Sequence, residues 1–345
     1  MSDPALPHAD VRPRHPYRLP EDRRPKYARA RRLEWWTLGW LASIIAVIYW
    51  AMGSSAAMQA AWIEDLLSLV PPIAFLWASR FEFRAPNDRF PFGYLRSMQI
   101  AYLGASVALL MLGGYLVVDA LLTLAQGERP TIGATLPLGG WLFDDPIWAG
   151  WVMIAALIYS VIPPMILGRM KLKLADELHD DVLACDAKMN KADWMTGLAG
   201  AFGVLGVGYG WWWADAVAAG LIGLDVTRDG ARGTAQVVAD LMDHVPTGVG
   251  DRSADPLPGE LREQLLALDW VEDVEFRLRE QGRAVTGTIF VSPKADAVTT
   301  AEDLMNRLRE AERLAETTHW RLYDLDVRPV RQLKTAVDRR AEPPG

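Results

Sequence analysis

Six long apolar runs, at residues 35–52, 57–79, 97–124, 147–167, 182–208 and 211–238, leave this chain few ways to fold. A bilayer core is about 30 Å thick and is crossed by roughly 20 helical residues, so each run is long enough to span one. Hydrophobic residues reach 51% of the 345-residue chain, and nearly all of the long apolar stretches lie between Trp35 and Val238. That distribution belongs to a lipid-solvated helical domain rather than to one globular core.

An even number of spans puts both ends of the chain on one side. Lys and Arg gather in the N-terminal tail up to Arg32, between Arg80 and Arg96, and from Arg169 to Lys173, whereas the opposite loops offer Arg129 as their clear case. The positive-inside rule then predicts cytoplasmic termini in a multi-pass protein of a bacterial-type inner (plasma) membrane. The expected layout is a basic cytoplasmic tail at 1–32, a six-helix transmembrane domain at 33–240, a small cytoplasmic domain at 246–332 and a tail at 333–345.

Net charge is -7, with the basic residues concentrated before the first run and the acidic ones in the last third. The balance argues against nucleic acid as a partner. It fits a lipid bilayer whose anionic headgroups meet the basic tail. Cys185 is the single cysteine, which excludes an internal disulfide and a thiolate-cluster metal site.

Pro71-Pro72 and Pro163-Pro164 predict kinks in the second and fourth runs, because proline lacks the helical N–H donor. The fifth run carries Gly197, Gly200, Gly203, Gly206 and Gly208, and the sixth Gly220 and Gly223 among alanines. Small residues let helix backbones approach in lipid, so these two runs are expected to pack together. Past a Pro/Gly/Asp-rich linker at 246–258, the pattern predicts a helix, two strands separated at Gln281-Gly282, a helix opened by a Thr299–Glu302 capping box, and a last strand. This αββαβ order is that of a small, two-layer, ferredoxin-like α+β domain.

Ionisable groups inside spans cost roughly 2.5–3.5 kcal/mol each and need a reason to be there. In the second run Glu64, Asp65 and Ser68 lie within one turn, and in the fifth Asp186, Met189, Asn190 and Asp193 form one helical stripe. Carboxylate, amide and hydroxyl oxygens suit a divalent ion such as Mn, Mg, Fe or Zn. Lys188 and Lys191 share the fifth run and compete for these carboxylates as charge partners. The chain has no nucleophile elbow, zincin helix or phosphate-binding loop, so it is expected not to be an enzyme and to need no resident cofactor.

The run from Val182 to Asp193 resembles the fifth-helix signature of the cation diffusion facilitators, and 55–68 resembles their second-helix signature. Phe92-Gly93 with Arg96, Trp213-Ala214-Asp215, and Leu241-Met242-Asp243 before Pro246 are similar to further stations of that family, in the same order. The resemblance implies export of a divalent cation from the cytoplasm by proton antiport, in a homodimer assembled through the C-terminal domain. It places the transport site on Glu64, Ser68, Met189 and Asp193. Met189 stands where the family usually has His or Asp, and Ser68 where it usually has Asp. This departs from the tetrahedral site of zinc-type members. Asp65, Asp186 and Asn190 are the nearby groups that could complete an oxygen-rich set. Tyr94 replaces the family's loop histidine, and Asp326 stands where its C-terminal domain often has one. Two other readings of the same residues are a non-transporting scaffold or sensor, and a carrier of monovalent cations.

Overall fold

A computed structural model describes residues 16–51, 56–127, 149–208, 213–249 and 253–331 apart from 296 and 299. The small-residue turn expected at 53–55, the start of the fourth run, the loop carrying Arg129, Thr299, the first fifteen residues of the N-terminal tail and the tail at 333–345 fall outside these residues. The chain divides into two compact units. One comprises Glu21–Ala78 and Met98–Ala254; the other comprises Met1–Pro20, Ser79–Ser97 and Asp255–Gly345.

The first unit is helical: α1 (Arg24–Ala51), α2 (Ala56–Leu67), α3 (Val70–Ala78), α4 (Ser97–Gln126), α5 (Ala149–Leu178), α6 (Asp181–Gly208) and α7 (Ala214–Leu241). The second apolar run is thus two helices, broken at Ser68 and Leu69. Pro71 and Pro72 supply no N–H to the carbonyls of Leu67 and Ser68 four residues earlier, and the Leu69 N–H turns back to Leu66 instead, at 3.3 Å. Pro163 and Pro164, by contrast, lie within the continuous helix α5. Among the described residues, α4 alone is long and apolar enough throughout to cross a membrane by length and composition. The other long helices carry charges that lower their apolar character, such as Arg29, Arg31 and Arg32 in α1, Lys171 and Lys173 in α5, and Asp225 and Arg228 in α7.

Helices α5 and α6 run side by side, joined at His179, which adopts a left-handed φ of 51°. Asp180 caps α6 by accepting the Leu183 N–H at 2.9 Å. α6 also neighbours α7, as the small residues predict. The closest glycine contacts are made elsewhere, however. Gly197 of α6 faces Ser160 and Val161 of α5, while Gly220, Gly223, Gly230 and Gly233 of α7 face Ala120, Leu116, Leu110 and Ser106 of α4. The interval of three between paired glycines keeps each pair on one helix face, and that face meets α4 backbone. A Cβ on Gly230 would lie 2.4 Å from the Leu110 amide nitrogen, whereas one on Gly114 meets nothing within 4 Å. Gly230→Val is therefore expected to force α4 and α7 apart and to lower the melting temperature of the purified protein, at a cost of about 3 kcal/mol or more. Gly114→Ala should leave that temperature unchanged or slightly raised.

The second unit contains α8 (Leu257–Leu266), β1 (Val271–Gln281), β2 (Ala284–Pro293), α9 (Ala301–Thr318) and β3 (Leu322–Pro329), in the αββαβ order. Its sheet runs β1-β2-β3. The β1–β2 hairpin is antiparallel and closes at Gly282-Arg283 with Gly282 at φ 63°, and the α9 crossover makes β3 parallel to β2. Leu257, Leu261 and Leu265 of α8 and Ala311 and Ala315 of α9 pack on Val274, Leu278, Ile289 and Leu325 of the sheet. The cap of α9 is Thr300, one residue later than the expected Thr299, and its hydroxyl accepts the Asp303 N–H at 3.1 Å.

Residues 79–97 belong to this unit. Glu82 accepts a 2.8 Å bond from Arg283 Nε, with both side chains buried, and Tyr17 lies between the rings of Phe83 and Tyr323. Asn87 spends its side chain on a turn, accepting the N–H groups of Arg89 and Phe90 and donating to the Tyr94 hydroxyl at 2.9 Å.

Candidate functional site

The break between α2 and α3 sets Ser68 against α6. Ser68 Oγ donates to Asp193 Oδ1 at 2.8 Å, and one turn earlier on α2 Glu64 Oε1 accepts a 2.9 Å bond from Thr196 Oγ1. Two hydroxyl–carboxylate bonds therefore tie the same two helices together, one with its acid on α2 and the other with its acid on α6. Thr196 is also within 3.1 Å of the carbonyl oxygens of Ala192 and Asp193, and its single proton serves one acceptor at a time.

Asp65 is the third acid here. Its Oδ2 is buried without a hydrogen-bond partner, and both it and Glu64 lie near enough to Asp193 to act on it electrostatically. Asp119 of α4 adds a further acid near enough to Glu64 to act on it electrostatically. Three acids of α2 and α6, with Asp119 of α4 acting on Glu64, thus gather in one place, an arrangement that a cation relieves. The carbonyls of Leu67 and Ser68, deprived of helical donors by Pro71 and Pro72, add oxygen acceptors beside it.

The remaining candidates lie along α6. Met189 is buried one turn before Asp193. Asn190 packs against Gly168 of α5 and donates to the Asp186 carbonyl at 2.9 Å. The Asp186 carboxylate is ion-paired with Lys171 of α5, which also holds Glu34 of α1 at 3.0 Å. The structure therefore gathers Glu64, Asp65, Ser68 and Asp193, and turns Asp186 and Asn190 toward α5.

Lys188 and Lys191 point to neither group. With Asp225 and Asp229 of α7 they line a small cavity between α4, α6 and α7, where Lys191 and Asp225 pair at 3.2 Å. Four contributors escaped the sequence reading: Thr196, Asp119, Lys171 and Glu34. Asp119 carries the clearest missed signal, an acid inside the most apolar helix of the chain, and Thr196 lies one turn beyond Asp193 on the same stripe.

No curated protein matches the chain. The family model of the cation efflux transmembrane domain matches residues 37–232, more than half of the chain and nearly all of α1 through α7, including every acid gathered at the break between α2 and α3. The chain accordingly belongs to the cation efflux, or cation diffusion facilitator, family, and is a membrane protein that transports cations.

Proposed function

We propose that the chain exports a divalent metal cation from the cytoplasm in exchange for protons, and that the metal is held between α2 and α6 by Glu64, Asp65, Ser68 and Asp193. The observation that carries this reading is the pair of bonds Ser68–Asp193 and Thr196–Glu64, which bring both acidic clusters to one point beside a helix break. Hydroxyls now fill the carboxylate lone pairs that a metal would use. An all-oxygen set with an adjacent thioether favours Mn2+, Mg2+ or Fe2+ over thiolate-seeking ions. Asp186 and Asn190 join this set only if Lys171 releases Asp186.

Export requires the site to open to either side. The reading places six spans in the bilayer, with α2 and α3 forming one, and both termini in the cytoplasm of a bacterial-type inner membrane. The exposed face of α1 supports it, passing from Arg24, Arg31 and Arg32 to Trp35 and Trp36 and then to Ala42, Ala46 and Val47. That is the order of water, headgroup and hydrocarbon. The exposed face of α5 repeats it in reverse, from Ile162 and Ile166 to Arg169 and Lys173. A homodimer formed through the C-terminal unit completes the reading. The scaffold alternative drew on Lys188 and Lys191 beside the site, and their turn toward α7 removes that support.

Carboxylates bind metal only when deprotonated, so protons and metal compete for one site. In proteoliposomes, saturable Mn2+ uptake should rise when the lumen is acidified relative to the bath, because protons on Glu64 and Asp193 displace the delivered ion. A rate indifferent to that gradient would remove the antiport step while leaving the carrier.

A further inference from the structure

Thr196 holds Glu64 but stands outside the ligand set just described, and its surroundings differ from those of a hydroxyl with a single partner. Its Oγ1 lies 2.9 Å from Glu64 Oε1, 3.1 Å from the Ala192 carbonyl oxygen and 3.0 Å from the Asp193 carbonyl oxygen. A hydroxyl has one proton and two lone pairs, so two of these three acceptors go without that proton at any moment. The carbonyls belong to its own helix, four and three residues back, where a threonine hydroxyl bonds readily. Rotation of the O–H bond alone therefore moves the proton from Glu64 to α6.

That rotation turns a donor into a ligand. A hydroxyl binds a metal ion through a lone pair, which requires its proton to be accepted elsewhere, and Ala192 and Asp193 provide the acceptors. The spacing fits as well. Adjacent oxygens around a six-coordinate ion with bonds of about 2.0–2.1 Å stand roughly 2.9–3.0 Å apart. Those around a four-coordinate zinc stand roughly 3.3–3.6 Å apart. Thr196–Glu64 at 2.9 Å and Ser68–Asp193 at 2.8 Å are close to the edges of the six-coordinate shell, so an ion that replaces the two bridging protons meets each pair at its existing separation. Asp65 Oδ2, buried without a hydrogen-bond partner, leaves a further oxygen for the same ion.

We propose that Thr196 is a fifth oxygen ligand of the transported ion and turns the site toward six-coordinate cations such as Mn2+ and Mg2+ over four-coordinate Zn2+. The assignment rests on the reading of Glu64, Asp65, Ser68 and Asp193 as the binding set. Those four residues suffice to fill the shell of a four-coordinate ion, whereas a six-coordinate ion gains from every further oxygen at the right spacing. Being neutral, Thr196 adds a donor among the acids without adding to their repulsion. It is on this account a specificity-determining residue.

The test compares two metals on the purified full-length protein. By calorimetry, Thr196→Val, which keeps the shape of the side chain and loses the hydroxyl, should weaken Mn2+ binding roughly 10-fold and Zn2+ binding by less than about 3-fold. Thr196→Ser should bind both as wild type does. Equal losses for the two metals would overturn the proposal, since Thr196 would then only position Glu64. A second variant reads the contact directly. In a Cys185→Ala background, Thr196→Cys should give a thiolate-to-metal charge-transfer absorption on addition of Cd2+. Thr227→Cys, on α7 where the native hydroxyl donates to the Gly223 carbonyl at 2.7 Å, should give none. Absence of the band from folded Thr196→Cys would overturn the proposal even where Thr196→Val is not recovered folded. Asp193→Asn in the same assay separates this assignment from the site itself: loss of Mn2+ binding there, with wild-type binding in Thr196→Val, removes Thr196 alone, whereas unchanged binding in Asp193→Asn removes the site and the assignment with it.

Discussion

Asp193→Asn should reduce Mn2+ affinity by more than about 100-fold and bring uptake into proteoliposomes to background. The substitution keeps the shape of the side chain and an oxygen for Ser68 to donate to, so the α2–α6 contact at 2.8 Å survives and the fold should be retained. What it removes is the negative charge and one ligand lone pair. Residues that merely orient metal ligands cost roughly 10–100-fold when mutated, and a charged ligand should exceed that. At 1.4 kcal/mol per tenfold, the expected loss is at least ~2.8 kcal/mol. Ser68→Ala supplies the graded comparison: it removes one neutral oxygen from the set and leaves its negative charge, and should weaken binding by less than Asp193→Asn. Unchanged flux in Asp193→Asn would place the transported ion elsewhere and end the assignment of this site.

The architecture was legible where one physical rule dominates. The long apolar runs announced a helical membrane domain, in which α4 alone among the described residues passes as a span by length and composition; strand alternation and turn chemistry announced the C-terminal αββαβ unit, whose element order matches. Legibility failed where two rules compete. The Pro71-Pro72 pair predicted a kink, but whether a helix bends or breaks depends on packing that one sequence does not display, and here it breaks just before the pair while α5 continues through Pro163-Pro164. The small residues of α7 were read as contacts for the preceding span, which α7 does neighbour, but its glycines also make close contacts with α4, because small residues state that a close contact exists without naming every partner. At the site, the acids of α2 and α6 could be found from their cost in a membrane. Their sorting could not: Asp186 and Asp193 lie on one stripe of one helix, and only the position of Lys171 on α5 and Ser68 beyond α2 separates a paired acid from one held by a hydroxyl. Lys171 itself looked like part of a loop's positive charge, since the end of α5 could not be told from the loop after it.

Arg321→Met is expected to unfold the C-terminal unit locally while leaving the helical unit intact. Arg321 is the hub of the unit's buried charge: its guanidinium pairs with Asp255, ahead of α8, and with Glu280 near the end of β1, and its Nε donates to the Arg283 carbonyl at 3.1 Å. All three charged side chains are at most 5% exposed. A planar fork reaches two carboxylates and a carbonyl at once, which methionine cannot do despite filling similar space. Its removal takes a cationic partner from two buried carboxylates, and breaking a buried pair in this way costs about 3–5 kcal/mol. A domain of this size has roughly 5–15 kcal/mol of stability in total, so the loss is a large share of it. Hydrogen exchange on the full-length protein reads the outcome directly: amides of β2 and β3 should exchange about 10²–10³-fold faster than in wild type, while those of α4 and α6 should not change. Adding Glu280→Gln to Arg321→Met should recover part of the protection, because it removes one of the two buried negative charges. Wild-type exchange in Arg321→Met would mean that water reaches Asp255 and Glu280 and that this cluster does not hold the sheet together.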